Sequence, residues 1–216
     1  MPPPAFDPTG TWRHERVITS TATLPNVGEV QRTVTIKALW AIAAEGPKLF
    51  ATETLCSVEA TSVPRLDVRS VPGFMKAASG ARYEVAVVPT LDGLRFEASG
   101  AAILGARLPR ADAALPDKAG DPAVTDFDGD GHPGVTWTVK GPPSGEVWRV
   151  ERTSFNLEGR VLQEKKQTSV SGEGTTLFER QVLSPPNPAL DPLASEQVTG
   201  TQFSLVLAKS GAKCPR

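Results

Sequence analysis

The sequence is poor in several features that would point to particular classes of protein. Its 216 residues include two cysteines, two histidines and one tyrosine, and aromatic residues make up only 6%. Lysine and arginine number 23 against 24 aspartates and glutamates, so no basic surplus exists to attract nucleic acid. The longest apolar run, residues 38–44, is far shorter than the roughly 18 residues that span a bilayer. We therefore expect neither nucleic-acid binding nor a transmembrane segment.

Motifs of common enzyme classes are also missing from the sequence. It contains no P-loop, no Gly-x-Gly-x-x-Gly and no Gly-x-Ser-x-Gly. The two histidines have no partner at metal-ligand spacing, and His14, among polar neighbours, is interpreted as a surface residue of a strand. Glu151 and Glu164 could face each other across a hairpin, which leaves a hydrolase with carboxylate catalysis as an alternative to a non-catalytic protein.

Turn-forming residues are abundant, with 20 prolines and 19 glycines between runs rich in threonine, valine and serine. Such runs favour short β-strands joined by turns. The predicted strands are 11–23, 29–44, 48–61, 82–89, 93–98, 134–140, 146–157, 160–170, 175–183 and 198–208. Short turns, including Glu158-Gly159 and Gly172-Glu173-Gly174, join antiparallel neighbours. The sequence predicts an all-β fold, either a single-domain antiparallel barrel or a two-sheet sandwich of about ten strands.

Two long connections interrupt this succession of strands. Residues 99–125, rich in alanine, proline, aspartate and glycine, are predicted to form a long loop, and residues 184–195 a second one. Residues 1–9 are predicted to be an extended N-terminal tether. With no internal repeat and no composition break, residues 10–216 are predicted to form a single β domain.

The two cysteines, Cys56 and Cys214, are the number needed for one disulfide. The alternative is a pair of free thiols, one in a strand and one near the C-terminus. A disulfide favours an oxidising compartment. The first residues have neither a basic nor an apolar signal region, so the protein is either cytoplasmic or has lost a signal or lipoprotein leader. We expect a periplasmic, cell-surface or secreted protein.

A cluster of acidic residues forms the clearest chemical motif. Asp126, Asp128 and Asp130 alternate along the chain, Gly131 follows them, and no lysine or arginine occurs between Lys118 and Lys140. Hard cations are bound by several oxygens from a short, sharply turned segment, and Ca²⁺ tolerates flexible geometry. The alternative is a tight turn in which the carboxylates accept hydrogen bonds from backbone amides without an ion.

The stretch from Asp126 to Val139, DFDGDGHPGVTWTV, resembles the calcium loops of FG-GAP, thrombospondin type 3 and dockerin-like modules. This resemblance implies three carboxylate ligands, Asp126, Asp128 and Asp130, and a backbone carbonyl from His132. The sequence departs from the pattern at the ninth and twelfth positions, Gly134 and Trp137, where an EF-hand has further ligands. Any Ca²⁺ is therefore expected to have a structural role.

A second, shorter resemblance lies at the start of the first strand. Gly10-Thr11-Trp12 resembles the Gly-x-Trp signature of lipocalins, and Thr125-Asp126-Phe127 is similar to their second signature. The resemblance implies a calycin-like barrel in which Trp12 closes one end and Arg180 packs on it. The alternative for Trp12 is an ordinary core aromatic at a strand start.

These observations favour a non-catalytic, exported binding protein. Its expected partner is a small apolar molecule in a barrel interior, or another protein of the cell envelope. A calcium-stabilised structural module of a surface assembly is the second hypothesis.

Overall fold

The fold was analysed in a computed structural model, which describes residues 6–24, 28–62, 67–141, 144–164, 167–183, 195–209 and 211–214. These residues form ten β-strands and one helical turn. In chain order they are β1 (Gly10–Leu24), β2 (Gly28–Glu45), β3 (Lys48–Ala60), β4 (Asp67–Ser70), α1 (Phe74–Ala77), β5 (Arg82–Thr90), β6 (Gly93–Leu104), β7 (Val135–Lys140), β8 (Gly145–Glu164), β9 (Gln167–Val182) and β10 (Gln197–Leu207). The predicted all-β fold is confirmed.

All ten strands belong to one antiparallel sheet in which eight strands close into a ring. The ring order is β1, β2, β3, β5, β6, β8, β9, β10, and pairing of β10 with β1 returns to the start. The long pairing of β8 with β9, from Arg149–Val182 to Glu164–Gln167, closes the circuit. The strands thus form one sheet with an eight-strand ring, and the choice between a calycin-like barrel and a two-sheet sandwich stays a prediction.

The inner face of the ring follows the two-residue period of its strands. In β1 the side chains of Trp12, His14, Arg16 and Ile18 are buried, and the intervening residues face outward. One end of the interior is filled by an apolar cluster that includes Trp12, Trp40, Tyr83, Phe96, Phe155 and Phe203. At this end Trp12 Nε1 donates a hydrogen bond to the Pro8 carbonyl (2.8 Å), and Phe6 packs edge-on against the indole.

The pairing between β3 and β5 is the shortest in the ring. It covers four residue pairs, from Leu49–Val85 to Thr52–Arg82. After Thr52 the chain of β3 instead pairs with the segment before β5, through Glu53 N to Ala81 O (2.8 Å) and Gly80 N to Glu53 O (2.7 Å). We call this the β3–β5 seam.

Two strands and the helical turn lie outside the ring. β7 pairs with the first residues of β8, beyond the point where β6 ends, and β4 pairs with β7. β4, α1 and β7 are called the cap. Phe74 of α1 and Val135 of β7 pack together with Leu55, Leu104 and Trp137 as a second apolar cluster. The sequence predicted β7 but neither β4 nor α1.

The predicted turns at Glu158-Gly159 and Gly172-Glu173-Gly174 are wrong, since both segments lie inside long strands. Gly159 is opposite Gly172 in the β8–β9 pairing. A Cβ atom on Gly172 would lie 2.0 Å from the Glu158 carbonyl oxygen, and one on Gly159 would lie 2.8 Å from Phe203 Cζ. These glycines therefore permit close approach of two backbones in the ring and do not reverse the chain.

The other predicted segments differ less from the structure. The long loop starts later than predicted, because β6 continues to Leu104 by pairing with β8. Of the predicted tether, residues 6–9 lead into β1, and residues 1–5 lie outside the described part. The predicted loop 184–195 also lies outside it, except for Ser195. No helix among the described residues is long and apolar enough to cross a membrane.

The predicted disulfide between Cys56 and Cys214 is confirmed. It joins β3 to the end of the chain across 158 residues of sequence, with the two Cα atoms 5.2 Å apart. Cys56 lies where the register of β3 against β2 shifts, between the pairs Lys37–Ser57 and Ala38–Leu55. A disulfide is compatible with an extracytoplasmic location.

Candidate functional site

A cavity of about 580 Å³ lies inside the ring, between the apolar cluster at Trp12 and the cap. Its walls are mainly apolar. They include Val34 and Ile36 of β2, Leu55 of β3, Leu104 of β6, Phe74 of α1 and Trp137 of β7. Small-molecule sites have volumes of roughly 300–1,000 Å³, with apolar walls and few polar groups, so the cavity has suitable size and character for one.

A buried polar layer separates the cavity from the apolar cluster. Glu53, only 3% exposed, accepts hydrogen bonds from Trp40 Nε1 (2.8 Å) and Tyr83 Oη (3.0 Å). His14 Nδ1 lies 3.7 Å from the same carboxylate. Burial alone would raise the pKa of Glu53, but His14 and the positive charge of Arg16 lower it below its ordinary value. Glu53 is therefore a carboxylate at neutral pH.

The tight packing of Tyr83 in this layer depends on a glycine. A Cβ atom on Gly100 would lie 2.6 Å from Cδ1 of the Tyr83 ring. The ring also contacts Phe155 edge-on, with centroids 4.7 Å apart, and Trp40 at 5.6 Å. The absence of a side chain at Gly100 thus allows the Tyr83 hydroxyl to reach Glu53.

Arg16 projects from β1 into the cavity next to this layer. It is 3% exposed, and its guanidinium carbon lies 4.5 Å from the centroid of Phe155. Its Nε and Nη1 atoms are buried and make no hydrogen bond within the described part of the chain. Buried cations normally have a carboxylate or other acceptor at hydrogen-bonding distance, because desolvation of an ion is costly.

Two further groups of buried charges surround the cavity. Glu196 binds Arg32 Nη1 and Arg180 Nη1, each at 2.6 Å, and accepts a hydrogen bond from the Ser20 hydroxyl. Burial would raise the pKa of Glu196, but the two guanidinium groups lower it.

Glu151 accepts hydrogen bonds from Arg149 Nε and from Trp137 Nε1, the latter at 2.7 Å. Burial would raise its pKa as well, and the charges of Arg149 and Arg180 lower it. Both glutamates are therefore ionised and paired with arginine at neutral pH. The hypothesis of a Glu151–Glu164 pair across a hairpin is wrong, since both belong to β8, opposite Arg180 and Gln167.

No protein-family model, curated protein or solved structure matches this chain significantly.

The acidic loop, residues 126–134, has both the clustered carboxylates expected of a cation site and the amide hydrogen bonds expected of a tight turn. One ligand atom from each of Asp126, Asp128 and Asp130 lies within 4.8 Å of the other two. Asp126 also accepts hydrogen bonds from the amides of Gly129 (2.8 Å) and Gly131 (3.0 Å), as expected of a tight turn. The side chain of His132 stacks on Trp148, with centroids 4.5 Å apart.

Asp128 connects the acidic loop to the cap. Its Oδ2 accepts a hydrogen bond from the Thr136 amide (2.9 Å) at the start of β7. A Cβ atom on Gly73, next to α1, would lie 1.9 Å from the Asp128 carbonyl oxygen. Phe127 packs against the cap cluster that contains Phe74 and Val135. The loop is thus packed against the cap, which lines the cavity.

Sequence reasoning found the acidic loop but missed the charged residues of the cavity. The interpretation of His14 as a surface residue is wrong, because His14 is 2% exposed. The two-residue alternation of β1 indicates that His14 is buried, because it places His14 and Arg16 on the same face as Trp12 and Ile18. Arg180 lies over Phe178 and pairs with Glu196, and its predicted packing on Trp12 stays a prediction.

Proposed function

We propose that this protein binds a small, largely apolar molecule in the cavity of its ring and does so without catalysing a reaction. The observation that carries the proposal is a cavity of about 580 Å³ with mainly apolar walls inside the eight-strand ring. Burial of apolar ligand surface there contributes roughly 25 cal/mol per Å². A few polar groups at defined positions would select the ligand.

An extracytoplasmic setting, in the periplasm, at the cell surface or in the secreted state, forms part of the proposal. The Cys56–Cys214 disulfide supports it, because such bonds persist in oxidising compartments. A carrier of apolar molecules fits this setting, since such molecules cross aqueous compartments poorly unless a protein shields them.

Filling the cavity tests the proposal. Nile red, a neutral apolar dye, is expected to bind the wild type saturably with a rise in fluorescence. Ala102 lines the cavity, and Ala101, its neighbour in β6, is on the opposite face of the strand. Ala102→Trp is expected to weaken dye binding at least about tenfold, because the indole occupies the space of the dye.

Ala101→Trp is the matched control, with the same added volume on the outer face. It should change the dissociation constant less than about twofold. Circular dichroism checks that both variants fold. The proposal fails if the wild type does not bind the dye saturably, or if Ala102→Trp binds it as the wild type does.

A second candidate function is supported at the acidic loop. There we propose a structural Ca²⁺ ion held by Asp126, Asp128, Asp130 and the carbonyl of His132. The supporting observation is Asp128, which is 8% exposed and whose Oδ1 atom makes no hydrogen bond within the described residues. A hard cation would give this oxygen a partner. Its role would be to brace the cap through the loop.

Calcium is expected to raise the melting temperature of the wild type by about 4 °C at a concentration tenfold above the dissociation constant. EDTA should reverse the rise, and Asp128→Asn should abolish it because a charged ligand is lost. Asp117→Asn, which removes an exposed carboxylate outside the cluster, is the control and should keep the response. An equal shift in Asp128→Asn and the wild type, or no shift in the wild type, would reject the site.

A further inference from the structure

We propose that the ligand of the cavity carries one anionic group, of the carboxylate class, which pairs with Arg16. This inference depends on the proposed binding function and specifies the ligand further. The ligand would be an anionic amphiphile, with its charged group at the inner end of the cavity and its apolar part towards the cap.

The first observation is the state of the Arg16 side chain. It is 3% exposed and lines the cavity, and its Nε and Nη1 atoms have no acceptor among the described residues. The face of Phe155, 4.5 Å away, offsets part of the desolvation of the guanidinium but does not accept its in-plane hydrogen bonds. A carboxylate is the acceptor that such donors bind most strongly, because both partners of the hydrogen bond are then charged.

The neighbouring carboxylate of Glu53 is already engaged elsewhere. Its Oε2 accepts from Trp40 Nε1 and its Oε1 from the Tyr83 hydroxyl. Its charge does act on Arg16 at longer range, since Arg16 contributes to the lowered pKa of Glu53. Glu53 thus reduces the net charge near Arg16 without supplying the acceptor that its buried donors lack.

The balance of buried charge around the cavity also favours an anion. Among the described residues, four arginines at the cavity are no more than 12% exposed, against three glutamates: Arg16, Arg32, Arg149 and Arg180 against Glu53, Glu151 and Glu196. His14 does not offset this surplus, because it carries no negative charge, and burial lowers its pKa. One bound anion would neutralise the group, whereas a cationic ligand would add to the repulsion.

The position of Arg16 defines the orientation of the ligand. Arg16 is opposite Ile36 in the β1–β2 pairing. The next residue of β2 on the same face is Ala38, which already belongs to the apolar cluster. Towards the cap the lining contains the apolar side chains of Val34, Leu55 and Leu104, and the charged groups there are paired, Arg32 and Arg180 with Glu196 and Arg149 with Glu151. An acyl chain extending from an Arg16-bound carboxylate would therefore lie against apolar side chains, among charges that already have partners.

The test compares three probes of one chain length that differ in head group: decanoate, decan-1-ol and decyltrimethylammonium. Each competes with Nile red for the wild type, for Arg16→Met and for Arg13→Met. The wild type is expected to bind decanoate at least about tenfold more tightly than decanol, because a hydrogen bond between charged groups contributes more than one to a neutral hydroxyl. It is expected to bind decyltrimethylammonium most weakly. Arg16→Met should remove the preference for decanoate while keeping decanol binding.

Arg13→Met is the matched control, since Arg13 is exposed on the outer face of the same strand. It should keep the wild-type preference, and Arg16→Lys should retain part of it by supplying a charge without the fork of donors. If Arg16→Met does not fold, the relative affinities of the wild type for the three probes still test whether the ligand is anionic.

The outcomes separate this inference from the proposed function. Equal binding of decanoate and decanol by the wild type, or an unchanged preference in Arg16→Met, overturns the anionic ligand and leaves apolar binding intact. If neither decanol, decanoate nor Nile red binds the wild type, the proposed function itself is wrong.

Discussion

Replacement of Glu53 by alanine is expected to lower the free energy of unfolding by about 3–5 kcal/mol, as found when one partner of a buried charge pair is removed. Trp40 Nε1 and the Tyr83 hydroxyl would lose their acceptor, and Arg16 its nearby negative charge. Urea unfolding at pH 7 measures the effect. Glu84→Ala, which breaks an exposed pair with Lys48, is the control and should cost no more than about 1 kcal/mol.

The effect of Glu53→Ala should also depend on pH in a defined direction. Although burial opposes it, the pKa of Glu53 is lowered from its ordinary value of 4.5 in the folded protein. The stabilisation by its carboxylate is therefore complete above about pH 4.5 and is lost as the pH falls through the folded-state pKa. The difference between wild type and variant should shrink in that range. A difference that stays constant down to the acid transition would contradict this account of Glu53.

Removal of the disulfide by the double substitution Cys56→Ala and Cys214→Ala is expected to cost about 2–5 kcal/mol. The bond closes a loop across 158 residues, and its loss frees the unfolded chain. At roughly 2–4 °C per kcal/mol for a chain of this size, the melting temperature should fall by about 5–15 °C. Thermal and urea unfolding under oxidising conditions provide the two measurements.

Reduction of the wild type gives an independent check on the disulfide. With a thiol reductant present, its stability should approach that of the double variant, and the variant itself should not respond. A double variant within about 1 kcal/mol of the oxidised wild type would show that the bond adds little to the stability of the fold.

The strand content could be predicted because its physical basis is local. Alternating residues such as Val34, Ile36 and Trp40 define a strand with two faces, whatever its neighbours are. The error at Gly159 and Gly172 has a different origin. Glycine permits both a turn and the close approach of two strands, and only the pairing of β8 with β9 shows which occurs.

The pairing of the charges around the cavity could not be predicted, because it depends on contacts between distant parts of the sequence. Arg180 and Arg32 meet Glu196 only when the ring closes. From sequence alone, a charged residue in a strand is assigned to the solvent-facing side, as His14 was. The acidic loop was found because its three carboxylates are adjacent in the chain, but its contact with Gly73 of the cap required the fold.

The β3–β5 seam has a consequence for the mechanical continuity of the ring. Local openings with a free energy below that of global unfolding occur where few backbone hydrogen bonds must break. The seam has four residue pairs, whereas β8 and β9 pair along nearly their whole length. Separation of β3 from β5 would therefore be the least costly local opening of the ring, a step that leaves the other strand pairs intact.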